Sequence, residues 1–383
     1  MKLISKISVL FLLILLFVFV YKKNFDITNF FREKNKKIIS KFEYREIFTC
    51  KNKNFFVIDD NKRISYRNIN GNLIWQNKLE FDYNFSSSDS NFLALANNNK
   101  IAYFDKRGKI FDKKIINKDN ERIVFIKINR YGSLCFVIRE DNDYQNDYKV
   151  VCIDKNKNLI LNYKLREVEN KENIYPVSCE LSFDEKILII SILVEDDINI
   201  KNKILIIDLE DNKNRISKSI DIKDNFIFNT KFLKKDKIIF FGNEDIILNK
   251  IESEENIREI SRIKLNNTAY RLNLNDKYLL IVFKNNKNII YCYCLSNLKL
   301  IKRINLGSEI SRLENSFANF FVEINNFEGS QFIIINKNLK NIFEYKSDKV
   351  LEYVMLPKDK NKILEFGYKT ACTINKKYIN YLN

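Results

Sequence analysis

The stretch ISYRNINGNLIWQNKL, Ile64 to Leu79, has relatives within its own chain, and that repetition limits the fold more than any other feature. NINGNLIWQNKL from Asn68 returns as DKNKNLILNYKL from Asp154, keeping Asn-x-Asn-Leu-Ile and closing on the same Lys-Leu. IAYFDKRGKIFDKKI from Ile101 has the same shape, as do ILIIDLEDNKNRISKSI from Ile204 and DIILNKIESEENIREISRIKL from Asp245. IIYCYCLSNLKLIKRINL from Ile289, QFIIINKNLKNIFEY from Gln331 and TACTINKKYINYL from Thr370 follow it too. In each, an alternating apolar run meets a turn of Asn, Asp and Lys and is followed by a second alternating run. Period-two alternation on both sides of such a turn specifies an antiparallel hairpin.

A second element precedes these hairpins. SSSDSNFLALA (from Ser86), SFDEKILIIS (Ser182), LKKDKIIFF (Leu233), LNDKYLLIVF (Leu274) and PKDKNKILEF (Pro357) set an acidic turn before an apolar β run. Asp89, Asp184, Asp236, Asp276 and Asp359 are the expected turn residues, suited by side-chain bonds to their own backbone. The turns at Asn68 and Asn375 lie 307 residues apart, which is about 44 per unit over seven intervals, the period of a four-stranded propeller blade. No segment after Phe42 carries a long apolar face of period 3.6. The expected body is therefore all-β: an eight-bladed β-propeller over residues 43–383, or a seven-bladed one if the first and last units share a blade. Middle strands read as unbroken Ile, Leu, Phe and Val because each blade buries both faces against its neighbours.

The chain has no histidine. Imidazole acid–base catalysis, Ser-His and Cys-His nucleophiles and His-ligated metals are thereby excluded, while carboxylate and lysine chemistry remain open. Its seven cysteines are scattered without CxxC spacing and are expected to be buried small hydrophobes. Cys292 and Cys294 fall on one face of one strand, about 6.5–7 Å apart, at or beyond disulfide reach. The formal charge of +17 would ordinarily direct attention to an anionic partner. Lysine, asparagine and isoleucine are all abundant here while Gly, Pro and Ala are scarce, as an AT-rich genome dictates. The basic residues are interleaved with acids, so an evenly basic, solvated surface is expected rather than a nucleic-acid groove.

MKLISKISVLFLLILLFVFVYKK opens with lysines, runs apolar from Ile7 to Tyr21 and closes on Lys22 and Lys23. With Leu3 and Ile4 and snorkelling lysines this makes a marginal membrane span. No small-residue cleavage site follows it and the next cysteine is Cys50, so residues 1–23 read as an uncleaved signal anchor rather than a signal peptide or lipoprotein leader. Lysines after the run favour a cytoplasmic body, whereas the short basic leader has the form of an export signal. The expectation taken forward is an extracytoplasmic propeller on a single-pass anchor. In residues 24–42, Ile27, Phe31, Ile38 and Phe42 share one face at helical spacing, which fits a stalk or linker.

Asn70, Gly71 and Trp75 resemble the blade motif of quinoprotein-type (PQQ-like) propellers, and SFDEKILIIS resembles the turn of YVTN- and WD40-like repeats. After the stalk the chain is similar to membrane-anchored β-propeller proteins of low-GC anaerobic bacteria. The resemblance implies architecture and no chemistry. Quinoprotein dehydrogenases hold their cofactor against adjacent cysteines and a stacking tryptophan. Here Cys292 and Cys294 are not adjacent and Trp75 lies in a packing motif, so no cofactor is expected.

Innermost propeller strands line a central channel. Placed immediately before the acidic turns, they put Lys231, Arg271 and Arg312 at one level in three consecutive blades, at spacings of 40 and 41 residues. Such a cluster would focus potential on a carboxylate or phosphate. Ordinary pairing with acids such as Glu314 is the competing reading. DNDYQNDY (Asp141–Tyr148) and LVEDDINIKNK (Leu193–Lys203) are long insertions expected on one face, as loop tolerance or as a contact surface. There is no GxxxxGK[ST], GxSxG or EF-hand loop.

These features favour a non-catalytic binding or scaffolding module at the bacterial cell envelope, with a protein or envelope polymer as partner. One alternative is a propeller enzyme acting on an envelope glycan or small molecule through two carboxyls about 5–9 Å apart. The other is a cytoplasmic-facing module on anionic lipid or nucleic acid.

Overall fold

The hairpin strands follow from the alternation read above. The computed structural model describes residues 38–375 except 51–53, 117, 143–145, 166–172, 197–198, 211–215, 224, 254–255, 266–268, 317–318, 327–328, 337, 348–350 and 356–361. The signal-anchor run, most of the stalk and Asp359 lie outside the described residues. Among those described, no helix is long and apolar enough to cross a membrane.

The chain enters through β1 (Ile38–Glu43). Blade 1 holds β2 (Glu46–Thr49), β3 (Asn54–Ile58), β4 (Arg63–Asn68) and β5 (Leu73–Lys78). Blade 2 holds β6 (Phe85–Asp89), β7 (Phe92–Ala96), β8 (Lys100–Asp105) and β9 (Gly108–Lys114). Blade 3 holds β10 (Glu121–Ile128), β11 (Leu134–Asp141), β12 (Asn146–Ile153) and β13 (Leu159–Lys164). Blade 4 holds β14 (Asn173–Leu181), β15 (Ile187–Asp196), β16 (Asn199–Asp208) and β17 (Ile216–Ile222). Blade 5 holds β18 (Ile227–Lys234), β19 (Lys237–Gly242), β20 (Asp245–Ser253) and β21 (Asn256–Lys264). Blade 6 holds β22 (Ala269–Leu274), β23 (Tyr278–Phe283), β24 (Ile289–Cys294) and β25 (Leu300–Asn305). Blade 7 holds β26 (Ile310–Ser316), β27 (Asn319–Asn326), β28 (Gly329–Ile335) and β29 (Asn341–Ser347). Blade 8 holds β30 (Leu351–Met355), β31 (Lys362–Gly367) and β32 (Thr370–Asn375).

Eight antiparallel four-stranded sheets result, and the last is completed by β1 in the order β1-β32-β31-β30. The molecule is an eight-bladed β-propeller. From sequence the propeller is expected to begin at Glu43. Its first strand instead begins at Ile38, inside the segment read as stalk, and pairs Phe42 with Ala371 and Glu43 with Thr370. A ring of sheets must join its two chain ends, and an edge strand of blade 8 is otherwise left unpaired.

Blades meet through apolar layers that form the core. Between blades 1 and 2, Phe56, Ile58 and Tyr66 pack on Leu93, Leu95 and Phe104. Trp75 stacks on Tyr66 (5.7 Å between ring centres) and Phe104 (6.1 Å), and its indole N–H donates to the Lys106 carbonyl at 3.0 Å. The only tryptophan is thus a blade-packing residue, as the resemblance implies.

The opening hairpin is β4, its turn and β5. Asn68 Oδ1 accepts the N–H groups of Asn70 (3.0 Å) and Asn72 (3.1 Å), and Gly71 takes the left-handed position at φ 82°. Lys157 and Leu339 hold that position in blades 3 and 7 at φ 76° and 58°. In the turns between first and second strands Asp184 accepts a bond from its own backbone, as expected. Asp184 and Asp276 sit there, and Ser182 Oγ receives the Lys186 and Ile187 amides, and Asn275 Oδ1 those of Lys277 and Tyr278. A further capping oxygen thus comes from the residue opening the turn.

Cysteine pairing also departs from expectation. Cys135 and Cys152 are directly opposed on β11 and β12, with Cα atoms 4.3 Å apart, and form a disulfide. Burial pushes the Cys179 and Cys292 thiols up to about 12.

Candidate functional site

First strands of neighbouring blades touch one another, β6 with β10, β14 with β18 and β22 with β26, so these strands surround the axis. Their levels are fixed by register against the second strands. Lys231 pairs with Ile239, the third residue of β19. Arg271 and Arg312 pair with Val282 and Glu323, the fifth residues of β23 and β27. The equivalents of Lys231 in those blades are Asn273 and Glu314, opposite Leu280 and Phe321. Arg271 and Arg312 therefore share a level, and Lys231 lies two residues along the axis, about 7 Å away. The sequence count failed for two local reasons. Asp236 is the second residue of its turn where Asp276 is the first, and β18 has a bulge between Phe232 and Lys234.

The two arginines are occupied by their surroundings. Arg271 donates from Nε to the Ser311 carbonyl of blade 7 at 2.6 Å and lies over the Tyr270 ring at 4.2 Å. Arg312 Nε stands 3.6 Å from both Glu314 and Glu323. Those carboxyls are therefore within about 7 Å of each other, and Arg312 pairs with both. Burial raises both carboxyls above the ordinary range, and Arg312 opposes that shift.

Lys231 points to a different place. It lines a cavity of about 500 Å³ at the axis, on the face where first strands turn into second strands. Thr49, Ser88, Arg130, Leu274 and Asn315 bring blades 1, 2, 3, 6 and 7 to the same cavity. Glu180 of β14 lies beside it, 4% exposed, accepting the Phe232 N–H and standing 3.5 Å from Lys127. Among the described residues no group of three or more His, Cys, Asp or Glu side chains could hold a metal ion.

Residues 46–375 match the family described as "Family of unknown function (DUF5711)". The chain belongs to this family. No curated protein matches the DUF5711 chain. Among solved structures it is similar to Sqt1 of Saccharomyces cerevisiae, at 9% identity and TM-score 0.52, covering 90% of this chain and 98% of that one. Sqt1 of Chaetomium thermophilum gives 9% identity and TM-score 0.51, with 89% and 98% covered. BamB of Moraxella catarrhalis gives 9% and 0.49, with 89% and 99% covered. At such identities the two Sqt1 likenesses show the propeller fold alone.

Sequence reasoning missed Arg130, Glu180 and Asn315 in the DUF5711 channel. Arg130 follows Asn129 in a turn with no acid after it, so the acidic-turn signature passes over blade 3. Glu180 was legible only as the residue two before Ser182.

Glu180 gives the channel a pH signature. Desolvation raises its carboxyl above the ordinary value, against the opposing fields of Lys127 and Lys231. A carboxyl raised on folding contributes stability that is full below its unfolded value, near 4.5, and is lost as pH rises through the folded value. Glu180→Gln keeps an acceptor for Phe232 and removes the buried charge. The variant should melt with the parent at pH 4 and a few degrees above it at pH 8, measured by scanning calorimetry. A variant that melts lower at pH 8 would show that the Lys127 pair outweighs desolvation.

Proposed function

We propose that this DUF5711 protein is a non-catalytic binding module held at the bacterial cell membrane by its apolar N-terminal segment, taking its partner at the channel mouth. The observation that carries the reading is the mouth cavity, where residues from six blades converge around Lys231 and Arg130. Lys231 keeps the anion-binding role expected of it, joined by Arg130, while Arg271 bonds across to blade 7 and Arg312 pairs with Glu314 and Glu323. The partner is a protein or envelope polymer presenting an anionic group, and no cofactor is required. The Cys135–Cys152 disulfide supports the extracytoplasmic side, because disulfides persist where thiols are not kept reduced.

The test uses the native host. A photo-crosslinking residue at Lys277, on the cavity rim, should give an adduct in the membrane fraction, and the same residue at Lys302 on outer strand β25 should not. In intact cells a Tyr368→Cys variant, exposed at a turn, should react with a membrane-impermeant maleimide. Adducts from both positions alike would remove the mouth as the binding surface, and a Tyr368→Cys variant that stays unlabelled would place the propeller inside.

A further inference from the structure

Arg130 is positioned by the turn it belongs to. Asn129 Oδ1 accepts the amides of Tyr131 and Ser133, both at 3.0 Å, so the Asn129–Ser133 turn is fixed and Arg130 leaves it towards the axis. Its guanidinium lies 4.0 Å over the Phe183 ring of blade 4, and its Nε is buried with no hydrogen-bond partner. Arg63, Arg139, Arg258 and Arg262 each reach a carboxylate, whereas among the described residues no acid pairs with Arg130. An aromatic face holds the cation in place and leaves its edge open.

The aromatic row continues to Lys231. Phe183 is 6.2 Å from Phe232, which lines the cavity next to Lys231. Among the described residues no hydrogen bond or ion pair engages the Lys231 ammonium, and Glu180 acts on it only through space. Across the cavity, Asn315 spends its Nδ2 on the Leu274 carbonyl, and its Oδ1 is buried without a partner. The lining therefore offers two unpaired cationic groups, one unpaired acceptor and an apolar wall of Leu233 and Leu274. Asp89 and Asp276 at the same cavity disfavour a polyanion.

We propose that the mouth cavity binds a free carboxylate borne next to an apolar side chain and an N–H donor. The carboxylate bridges Arg130 and Lys231, the N–H meets Asn315 Oδ1, and the side chain lies on Leu233 and Leu274. Charge-assisted bonds to a guanidinium are the strong kind, and the buried Nε and Oδ1 gain partners that water does not give them. A cavity near 500 Å³ sits within the range of small-ligand sites and has room for one to three amino-acid residues. This chemistry has two sources, an N-acylated apolar amino acid and the C-terminus of a polypeptide. The inference rests on the mouth being the binding surface.

The full-length chain in detergent micelles is titrated with N-acetyl-leucine and with a library of acetylated hexapeptides ending in apolar residues, each as free acid and as amide. Free acids should bind, and their amides should bind at least about tenfold more weakly, the loss of one charged hydrogen bond. Arg130→Gln and Lys231→Gln should each weaken the acids about tenfold or more while melting as the parent does. Binding of N-acetyl-leucine with the affinity of the best peptide identifies a free amino-acid derivative as the source, and binding of peptides alone identifies a protein C-terminus. Equal affinity for acid and amide, parent-like binding by both variants, no binding of any acid at about 1 mM, or equal competition by inorganic phosphate overturns the proposal. If it falls while the Lys277 adduct persists, only the ligand class is lost. If both fail, the mouth itself is lost.

Discussion

Removing residues 1–43 is expected to abolish the cooperative melting of the propeller, and Phe42→Ala alone to cost about 3–5 kcal/mol, the usual range for truncating a buried aromatic. The deleted segment contains β1, among the described strands the one that joins the chain's beginning to its end. Phe42 is buried between blades 8 and 1, where its ring is 6.2 Å from Phe55 and 6.1 Å from Phe366, with the Arg67 guanidinium 4.1 Å above it. Tyr44 continues the seam by donating from its hydroxyl to the Gly367 carbonyl at 2.6 Å, across 323 residues. Loss of β1 exposes the edge of β32 and opens the apolar layer that also receives Phe321, Phe332 and Phe343 of blade 7. Each blade is stable because it is covered on both faces, so an opened ring has two blades with an uncovered face. Calorimetry of the truncated chain checks this, and an unshifted, two-state endotherm would show that blade 8 closes without β1.

That seam also shows where sequence reading stops. Hairpins within a blade were legible because period-two alternation and an Asn- or Asp-rich turn are local, and the period narrowed the blade count to eight or seven. IISKFE carries no such signal of its own, since its partner β32 lies more than three hundred residues away and Phe42 fits a helical spacing with Phe31 and Ile38 equally well. The channel level of Lys231 was hidden for a related reason. One bulged residue in β18 and one step in its turn are invisible to residue counting, yet together they move the side chain by about 7 Å. Pairing of Cys135 with Cys152 likewise needs the register of β11 on β12, which seventeen residues of separation do not reveal. Arg130 and Asn315 gain meaning only when the cavity shows what they lack. Strand pattern is written in neighbouring residues, and the candidate site is written in residues from different blades.

Gly132→Ala is expected to destabilise the protein by about 3–5 kcal/mol, the sum of a strained backbone and an overpacked contact. Gly132 has φ 92°, a conformation side chains with a Cβ seldom adopt, and an added Cβ would meet the Tyr103 hydroxyl and come within 2.9 Å of the Phe92 ring. Neither neighbour can withdraw. Tyr103 is 1% exposed and its hydroxyl donates to the Gly132 carbonyl at 2.8 Å, while the Phe92 and Tyr103 rings stack at 5.9 Å. Gly307→Ala separates the two contributions, because Gly307 has φ 75° and nothing within 4 Å of an added Cβ. That control should cost only about 1 kcal/mol, the backbone part. The contrast reaches the candidate site, since Gly132 closes the same turn that Asn129 opens and that carries Arg130. Displacing this turn moves the guanidinium off Phe183, so at temperatures where Gly132→Ala remains folded its affinity for the free acids should fall with that of Arg130→Gln, while Gly307→Ala binds as the parent. Thermal melts paired with the peptide titration decide it. A Gly132→Ala protein that melts with the Gly307→Ala control would mean that the blade 2–3 interface yields, and that the turn is not the rigid support Arg130 requires.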